Sequence, residues 1–328
     1  MALAVDCKED ILAEFDENGY VVVGGIFDPV LDFGPLRADY EDVLDGVAKR
    51  WHAEGKTSSD FAGQAFEERL ISIMKETDES WIDYFGISLP LWDTTEETPF
   101  HYCEPIFNIM TKPAFLDVIE WFIGPEIYAN PIQHLRVKPP ACLIPSEKQH
   151  ALNARTNWHQ DLGVTLPEAN DTNLLTTWIT ITDATEQNGC LQMIPGSHKE
   201  GRLVEHCPRT DGDIEIPPQE RQGEVVKVPV NAGDVLFLHK LTKHDSAHNE
   251  TEDEIRWSYD LRYNPTGEAV GRPEWPGFVC RSEKDPDSVE TDSQNVVDRW
   301  LKARSWMAEN EAHLVRRWKG GMSPYCGF

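Results

Sequence analysis

The sequence predicts a mainly β fold with flanking helices, in which short strands form a double-sheeted jelly roll or a related barrel. Two observations carry this prediction. Apolar residues follow a helical spacing in the first third of the 328 residues, and short runs rich in β-branched and aromatic residues then alternate with turn residues. Because no repeat or Pro/Gly/Ser-rich linker divides the chain, we expect one domain over 1–328. Its parts are a helical region 1–126, a β core at about 127–265 and a C-terminal extension with a helix, 266–328.

Helices precede the predicted core. The apolar spacing of Ile11, Leu12 and Phe15 indicates a helix over 8–16, which Asn18-Gly19 ends before the strand Tyr20–Val23. Three further helical patterns follow and lie at about 35–51, 61–81 and 113–122. Gly124-Pro125 stops the last of them.

Six short β runs then build the core, at 131–137, 174–182, 190–194, 225–230, 235–239 and 255–263. Asn188-Gly189 predicts a type I′ hairpin turn between Ile181 and Leu191, and Ala232-Gly233-Asp234 predicts a turn before Val235. A helical pattern returns over 293–317. Two long irregular segments, 139–157 and 199–223, flank these runs, and we expect the first to be a functional lid.

Charge excludes several kinds of partner. Acidic residues outnumber basic ones by 57 to 30, which gives a formal net charge of -27. Such a surface repels nucleic-acid backbones and anionic membranes, so we expect a small-molecule substrate and neither of those partners. The sequence leaves the oligomeric state open.

The cysteines and the N-terminus indicate a cytoplasmic protein. The seven cysteines are an odd, scattered set without a C-x-x-C pair, which favours reduced thiols. Charged residues at positions 6–10 exclude a secretory apolar region, and no run approaches the roughly 18 apolar residues of a membrane helix. The cysteines are Cys7, Cys103, Cys142, Cys190, Cys207, Cys280 and Cys326.

The segment Trp158-His159-Gln160-Asp161 is the strongest functional signal. Residues i and i+2 of a strand point to the same side, so His159 and Asp161 can bind one metal ion, although a solvated strand end gives the same pattern. The third ligand would be His239, His244 or His248, and spacing alone does not choose among them. Two imidazoles and one carboxylate leave three coordination positions open, which is typical of non-haem Fe(II) oxygenases.

The remaining histidines are not expected to bind this metal. His198 follows a turn at Pro195-Gly196 and is expected at the surface or behind the ligands. The others show no ligand spacing: His52, His101, His134, His150, His206 and His313.

Several short motifs follow one another through the middle of the chain. They are Trp158-His159-Gln160-Asp161, Asn188-Gly189-Cys190-Leu191 with Ile194-Pro195-Gly196-Ser197-His198, Gly233-Asp234-Val235-Leu236-Phe237, and His244 with Ser246 and Asn249. In this order they resemble the phytanoyl-CoA dioxygenase family, which comprises Fe(II)- and 2-oxoglutarate-dependent oxygenases on a double-stranded β-helix of the cupin-like, jelly-roll type. The resemblance covers about 127–265, and a weaker similarity is present at 11–23.

The resemblance implies a role for six residues. His159, Asp161 and His244 would be the iron ligands, with His248 as an alternative third ligand. Arg256 would hold the distal carboxylate of 2-oxoglutarate, since its planar fork matches a carboxylate. Ser246 would be a second donor and Trp178 would line the cosubstrate pocket, although Trp178 also suits an ordinary core. Arg262 competes with Arg256, because residues six apart share a strand face.

The implied activity uses Fe(II), 2-oxoglutarate and O2 to hydroxylate or desaturate a C–H bond of a small organic metabolite, with succinate and CO2 as co-products. Asp161 favours hydroxylation over halogenation, because related halogenases have a small residue there. An acyl-CoA hydroxylase of the same family would need a basic groove, whereas the candidate cations are dispersed: Lys138, Lys148, Arg155, Lys199, Arg202, Arg209 and Arg221. The residues also leave open a non-redox cupin-like metal enzyme and a binding protein without catalysis.

Overall fold

A computed structural model describes residues 8–91, 93–149, 152–209, 213–310, 317–319 and 324–326. Cys7, His150 and His313 lie outside them. The helices are α1 (Lys8–Asn18), α2 (Phe33–Ala53), α3 (Phe66–Met74), α4 (Glu104–Met110), α5 (Pro113–Ile123) and α6 (Ser293–Glu309). The strands are β1 (Tyr20–Val23), β2 (Ile127–Ala129), β3 (His134–Lys138), β4 (Leu175–Thr180), β5 (Leu191–Met193), β6 (Cys207–Pro208), β7 (Ile214–Glu215), β8 (Val226–Val228), β9 (Val235–His239), β10 (His244–Ser246), β11 (Arg256–Pro265) and β12 (Phe278–Arg281).

Two antiparallel sheets form the core. The major sheet has the order β1-β9-β4-β11-β2-β12, with β3 also paired to β11, and the minor sheet has the order β10-β5-β8. Trp178 and Leu236 of the major sheet pack against Leu191 and Met193 of the minor sheet. The sheets therefore face each other, which is the predicted jelly-roll arrangement.

Strand β11 separates two different environments. Trp257, Tyr259 and Leu261 belong to the large apolar cluster that includes the helices. The alternate residues are buried and mostly charged, and they face the minor sheet: Arg256, Ser258, Asp260 and Arg262. One face of β11 thus anchors the helical layer, and the other supplies polar groups to the interior between the sheets.

Most predicted elements are present, but some bounds differ. The helix expected over 61–81 is restricted to α3, because Phe61 has a left-handed φ of 53° and the chain leaves the helix after Met74. The sequence pattern also missed α4, β2, β10 and β12, which have three to seven residues each and are too short for a periodic signal. The predicted C-terminal helix extends to Glu309, and 311–316 lie outside the described residues.

The prediction of a type I′ hairpin at Asn188-Gly189 is wrong. A hairpin requires β4 and β5 to pair, whereas β4 lies in the major sheet and β5 in the minor sheet. Gly189 has φ +92°, and a Cβ there would lie 2.7 Å from the Ala247 carbonyl oxygen. This connection therefore crosses between the sheets and needs glycine for close approach to the chain beyond β10.

The expectation that all cysteines are reduced is wrong for one pair. Cys207 and Cys326 form a disulfide between the β6–β7 hairpin and the C-terminal residues, 119 positions apart. Spacing along the chain gives no indication of such a pairing. Cys103, Cys142, Cys190 and Cys280 are free thiols. Within the part of the chain that the structure describes, no helix has both the length and the apolarity to cross a bilayer.

Candidate metal centre

His159, Asp161 and His244 come together between the two sheets. One possible ligand atom from each lies within 4.8 Å of the others. The Nε2 atoms of both histidines are 3.9 Å from carboxylate oxygens of Asp161. All three side chains are buried. This group of two imidazoles and one carboxylate could hold a metal ion.

The backbone fixes the two histidines against each other. The His159 amide donates to the His244 carbonyl at 2.9 Å, and the reverse bond measures 3.0 Å. Asp161, however, begins a short 3-10 helix, Asp161–Val164, and does not continue the strand. The prediction that both ligands lie on one strand is therefore wrong for Asp161, although the extended backbone at Gln160 still brings the two side chains together.

Hydrogen bonds at the other ring nitrogens orient the histidines. His159 Nδ1 lies 2.8 Å from the Asn157 carbonyl oxygen, and His244 Nδ1 lies 2.9 Å from that of Thr242. A carbonyl only accepts, so each Nδ1 carries the proton and leaves an Nε2 lone pair for a metal. Burial and the neighbouring His244 hold the pKa of His159 well below its usual value, which keeps the ring neutral.

Arg262 holds the Asp161 carboxylate. Its Nη2 donates to Oδ1 of Asp161, and its Nη1 donates to the Ile132 carbonyl at 3.1 Å. Burial alone would raise the pKa of Asp161, but the positive charge of Arg262 and its hydrogen bond lower that pKa. Oδ2 has no hydrogen-bond partner among the described residues. The carboxylate is therefore anionic and has one oxygen available to a cation.

A small cavity adjoins the three side chains. Its polar lining comes from both sheets and from the segment before Trp158. Besides the three candidate ligands, the walls comprise Arg136, Thr156, Thr176, Trp178, Leu191, Leu238, Asp245 and Asp260.

Arg256 is fully buried at the same interior and is only partly satisfied. Its guanidinium lies 5.2 Å from the Trp178 ring centroid, and Nη1 donates to Ser258 Oγ at 2.7 Å. Within the described structure, Nε and Nη2 have no acceptor. Burial lowers the pKa of Arg256 to about 9, against the opposing charge of Asp260. Buried donors without acceptors are costly, so this arrangement fits an anionic ligand.

Ser246 is linked to Arg256 through Lys138. Lys138 is the cross-strand partner of Arg256, and its Nζ donates to Ser246 Oγ. The Thr156 amide donates to the same hydroxyl at 3.0 Å. Lys138, Arg256 and the hydroxyl of Ser246 thus belong to one buried polar group.

A family model described as Phytanoyl-CoA dioxygenase (PhyH) matches residues 15–257. The matched region contains the three candidate ligands as well as Trp178, Ser246 and Arg256. The chain belongs to the phytanoyl-CoA dioxygenase family. The resemblance predicted from the motifs is confirmed.

Two relatives show how far the likeness extends along the sequence. Human peroxisomal phytanoyl-CoA dioxygenase is 28% identical over 243 residues, which are 73% of this chain and 63% of that protein. A probable alpha-ketoglutarate-dependent hypophosphite dioxygenase of Stutzerimonas stutzeri is 27% identical over 212 residues, 61% of this chain and 65% of that one. The chain thus spans slightly less than two thirds of either relative's length.

The fold prediction is also confirmed. The apo structure of ThoJ, a non-heme monooxygenase, covers 92% of this chain and 100% of its own, with a TM-score of 0.56 and 18% identity. Fe(II) and 2-oxoglutarate, the cofactors predicted from the family resemblance, fit the residues present. The available Asp161 oxygen and the histidine Nε2 atoms suit the metal, and the two unpaired donors of Arg256 suit a carboxylate.

The two histidines weighed against His244 lie elsewhere. His248 is not part of the ligand group, and its Nδ1 is buried without a partner in the described structure. Nδ1 of His239 accepts a hydrogen bond from the Leu241 amide at 3.1 Å, and its ring lies 5.1 Å from that of His198. His239 and His198 are therefore paired structural histidines.

Sequence reasoning missed several groups at this family site. Arg136 and Asp260 form a buried ion pair that lines the cavity, and Lys138 lies beside Ser246. The Gln160 side chain forms hydrogen bonds with the backbone of Leu241, Arg202 and Val204. It thus links the segment that carries His159 and Asp161 to the loop before β10 and to the loop before β6. The alternation of charged residues along β3 and β11 was the available signal, since it places those charges on one strand face.

Proposed function

We propose that this protein is an Fe(II)- and 2-oxoglutarate-dependent dioxygenase that hydroxylates or desaturates a C–H bond of a small organic metabolite and releases succinate and CO2. One observation carries the proposal. A buried group of two histidines and one aspartate shares a cavity with Trp178, and Trp178 packs against a buried arginine whose Nε and Nη2 lack acceptors in the described structure. A non-redox metal enzyme would need the first feature but would have no use for the second.

The metal would be held by His159, Asp161 and His244. Their three donors leave three positions for the keto acid and O2. Fe(II) with 2-oxoglutarate supplies an oxidative decarboxylation that is coupled to attack on a C–H bond. The protein's own part is positional: backbone carbonyls fix both imidazole rings, and Arg262 fixes the carboxylate.

The distal carboxylate of 2-oxoglutarate would bind Arg256. Its planar fork can donate two parallel hydrogen bonds, and the ring of Trp178 holds the guanidinium from one side. Ser246 and Lys138 add a hydroxyl and an amine to the same buried group. Burial and the charge of Arg256 hold the pKa of Lys138 well below its usual value, and a bound carboxylate would favour its protonated form.

The substrate would be a small metabolite that is not linked to coenzyme A. The phosphates of coenzyme A need cations that are free to bind them. Six of the seven candidate cations instead form ion pairs with Asp or Glu, and Lys138 donates to Ser246. We keep a cytoplasmic location as a prediction, with the Cys207–Cys326 disulfide as the observation against it.

Succinate formation tests the proposed activity. We expect purified protein supplied with Fe(II), 2-oxoglutarate and O2 to release succinate, and a panel of free acids to raise that rate more than the matching acyl-CoA thioesters do. The His244→Ala variant should lose the activity, and His248→Ala should retain it. Succinate release that survives His244→Ala or that needs no O2 would contradict the proposal.

A further inference from the structure

A second group of metal-binding side chains lies in the helical layer. Asp39 belongs to α2, while His101 and Cys103 lie just before α4. One possible ligand atom from each falls within 4.8 Å of the others, and His101 Nε2 is hydrogen-bonded to Asp39 Oδ1. Cys103 is buried, whereas the Asp39 and His101 side chains are 32% and 24% exposed. An ion could therefore enter from solvent.

This group is separate from the candidate iron centre. Tyr40, next to Asp39, packs edge-on against His101 at 5.0 Å and against Trp257 at 5.2 Å between ring centroids. Trp257 lies on the helix-facing side of β11, and its neighbour Arg256 lies on the opposite side with Trp178. The major sheet thus stands between the two groups, so one ion cannot serve both.

The local backbone presents the ligands together. His101 and Cys103 are separated by one residue in an extended segment, where Cys103 has φ -120° and ψ 163°. Side chains i and i+2 of such a segment point to the same side. The His101 amide donates to the Gly86 carbonyl at 2.6 Å, and the Tyr40 hydroxyl donates to the Phe85 carbonyl at 3.0 Å. These bonds tie both ligand-bearing segments to the same loop, which makes the site rigid.

We propose that Asp39, His101 and Cys103 bind one zinc-like divalent cation, with water as the fourth ligand. The donor set decides the class of metal: a thiolate and an imidazole suit Zn²⁺ or Co²⁺, whereas Mg²⁺ and Ca²⁺ require oxygen ligands. Because the ligands join α2 to the start of α4, the bound ion stabilises the helical layer over the sheet. The site is independent of the proposed oxygenase activity.

Cobalt titration tests this site without interference from the iron centre. A thiolate bound to Co²⁺ gives a sulfur-to-metal charge-transfer band in the near ultraviolet, and the group formed by His159, Asp161 and His244 contains no sulfur. We expect the full chain, in a Cys7→Ser, Cys142→Ser background that removes two other thiols, to develop this band and to reach the intensity of one thiolate–Co²⁺ bond per chain. Added Zn²⁺ should displace it.

Two variants make the assignment specific. Cys103→Ser should abolish the band, and His101→Gln, at a partly exposed position that leaves the thiol intact, should weaken Co²⁺ binding about tenfold or more. Circular dichroism of both variants confirms that they are folded. A chain without the band, a band that survives Cys103→Ser, or unchanged affinity in folded His101→Gln would overturn the proposal, whatever the succinate assay shows.

Discussion

At the scale of single residues, two arginines on one strand face have different surroundings. Arg262 is bonded to Asp161 and to a backbone carbonyl, so its role is to position a metal ligand. Arg256, six residues earlier, stacks on Trp178 and keeps two donors without acceptors in the described structure. Because both arginines lie on the same strand face, the sequence could not tell their roles apart, whereas their contacts do.

These contacts predict that Arg256→Lys and Arg262→Lys have different effects. Lysine keeps the charge but loses the fork, so Arg256→Lys should raise the KM for 2-oxoglutarate about tenfold or more and leave Fe(II) affinity nearly unchanged. Arg262→Lys should weaken Fe(II) binding about 10- to 100-fold, because it loosens Asp161. Its KM for 2-oxoglutarate at saturating iron should change less.

Each variant is the matched control for the other. Initial rates of succinate formation give the KM, and anaerobic Fe(II) titration gives the metal affinity. The reversed pattern, with Arg262→Lys affecting the cosubstrate and Arg256→Lys the metal, would show that the two roles are exchanged.

At the scale of elements, the β6–β7 hairpin and the C-terminal residues support the ligand segment from behind. His206 Nε2 accepts a hydrogen bond from the Gln160 amide at 3.0 Å, and its ring stacks on Trp318 at 5.0 Å. Trp318 Nε1 donates to the Gly163 carbonyl at 2.8 Å. A Cβ on Gly163 would lie 2.6 Å from His206, so glycine is needed for this close packing. The disulfide Cys207–Cys326 fastens the same two elements.

Cys207→Ser should therefore destabilise the protein. Chain-entropy arguments and measured disulfides suggest a loss of about 2–4 kcal/mol in the free energy of unfolding. Urea unfolding with and without a reductant measures it. The exposed free thiol Cys142 offers the control, and Cys142→Ser should have almost no effect. A reductant that destabilises Cys207→Ser as much as the wild type would contradict the structural role of this bond.

His206 makes the stability depend on pH. Burial lowers its pKa to about 3, while the unfolded chain should titrate near 6.5. Between these values the unfolded state binds a proton that the folded state does not, so the contribution of His206 to stability falls as the pH falls from about 6.5. The loss in the free energy of unfolding approaches about 1.4 kcal/mol per pH unit.

Urea unfolding of the wild type and His206→Gln at pH 7, 6 and 5 measures this effect. The variant should show a shallower decline, because glutamine does not titrate. Parallel curves would mean that His206 is accessible to protons in the folded state.

At the scale of the whole molecule, the net charge of -27 opposes compaction. Raising the NaCl concentration from about 0.01 M to about 0.15 M shortens the Debye length from roughly 30 Å to roughly 8 Å. We expect the melting temperature to rise by a few degrees over this range and to change less per increment above it. A melting temperature that falls or stays constant between the two concentrations would show that self-repulsion is unimportant.

The sequence was sufficient for the parts of the fold and site that depend on local pattern. The apolar spacing around Ile11 and the β-branched run before Ile181 predicted α1 and β4, and the order of motifs predicted His159, Asp161 and His244 as one group. Features that depend on distant contacts were not predictable. Asn188-Gly189 has hairpin chemistry, but only the pairing of β5 with β10 and β8 shows that it crosses between sheets.

Contacts between distant parts of the chain also explain why the sequence did not predict three other features. Cys207 and Cys326 meet only because the C-terminal residues return to the β6–β7 hairpin. The role of Arg262 depends on Asp161, 101 positions away, and Asp39 lies 62 positions from His101. Contacts over such separations produce no periodic pattern in the sequence.

The central claim is that His159, Asp161 and His244 hold one Fe(II) and leave room for a chelating keto acid. The most direct measurement is an anaerobic titration with Fe(II) and then 2-oxoglutarate, followed by visible absorption. We predict a metal-to-ligand charge-transfer band that needs both additions, saturates at one iron per chain, is lost in Asp161→Ala and persists in Asp245→Asn, which alters a cavity carboxylate outside the ligand group. Iron binding without this band, or a band that Asp161→Ala retains in full, would contradict the account.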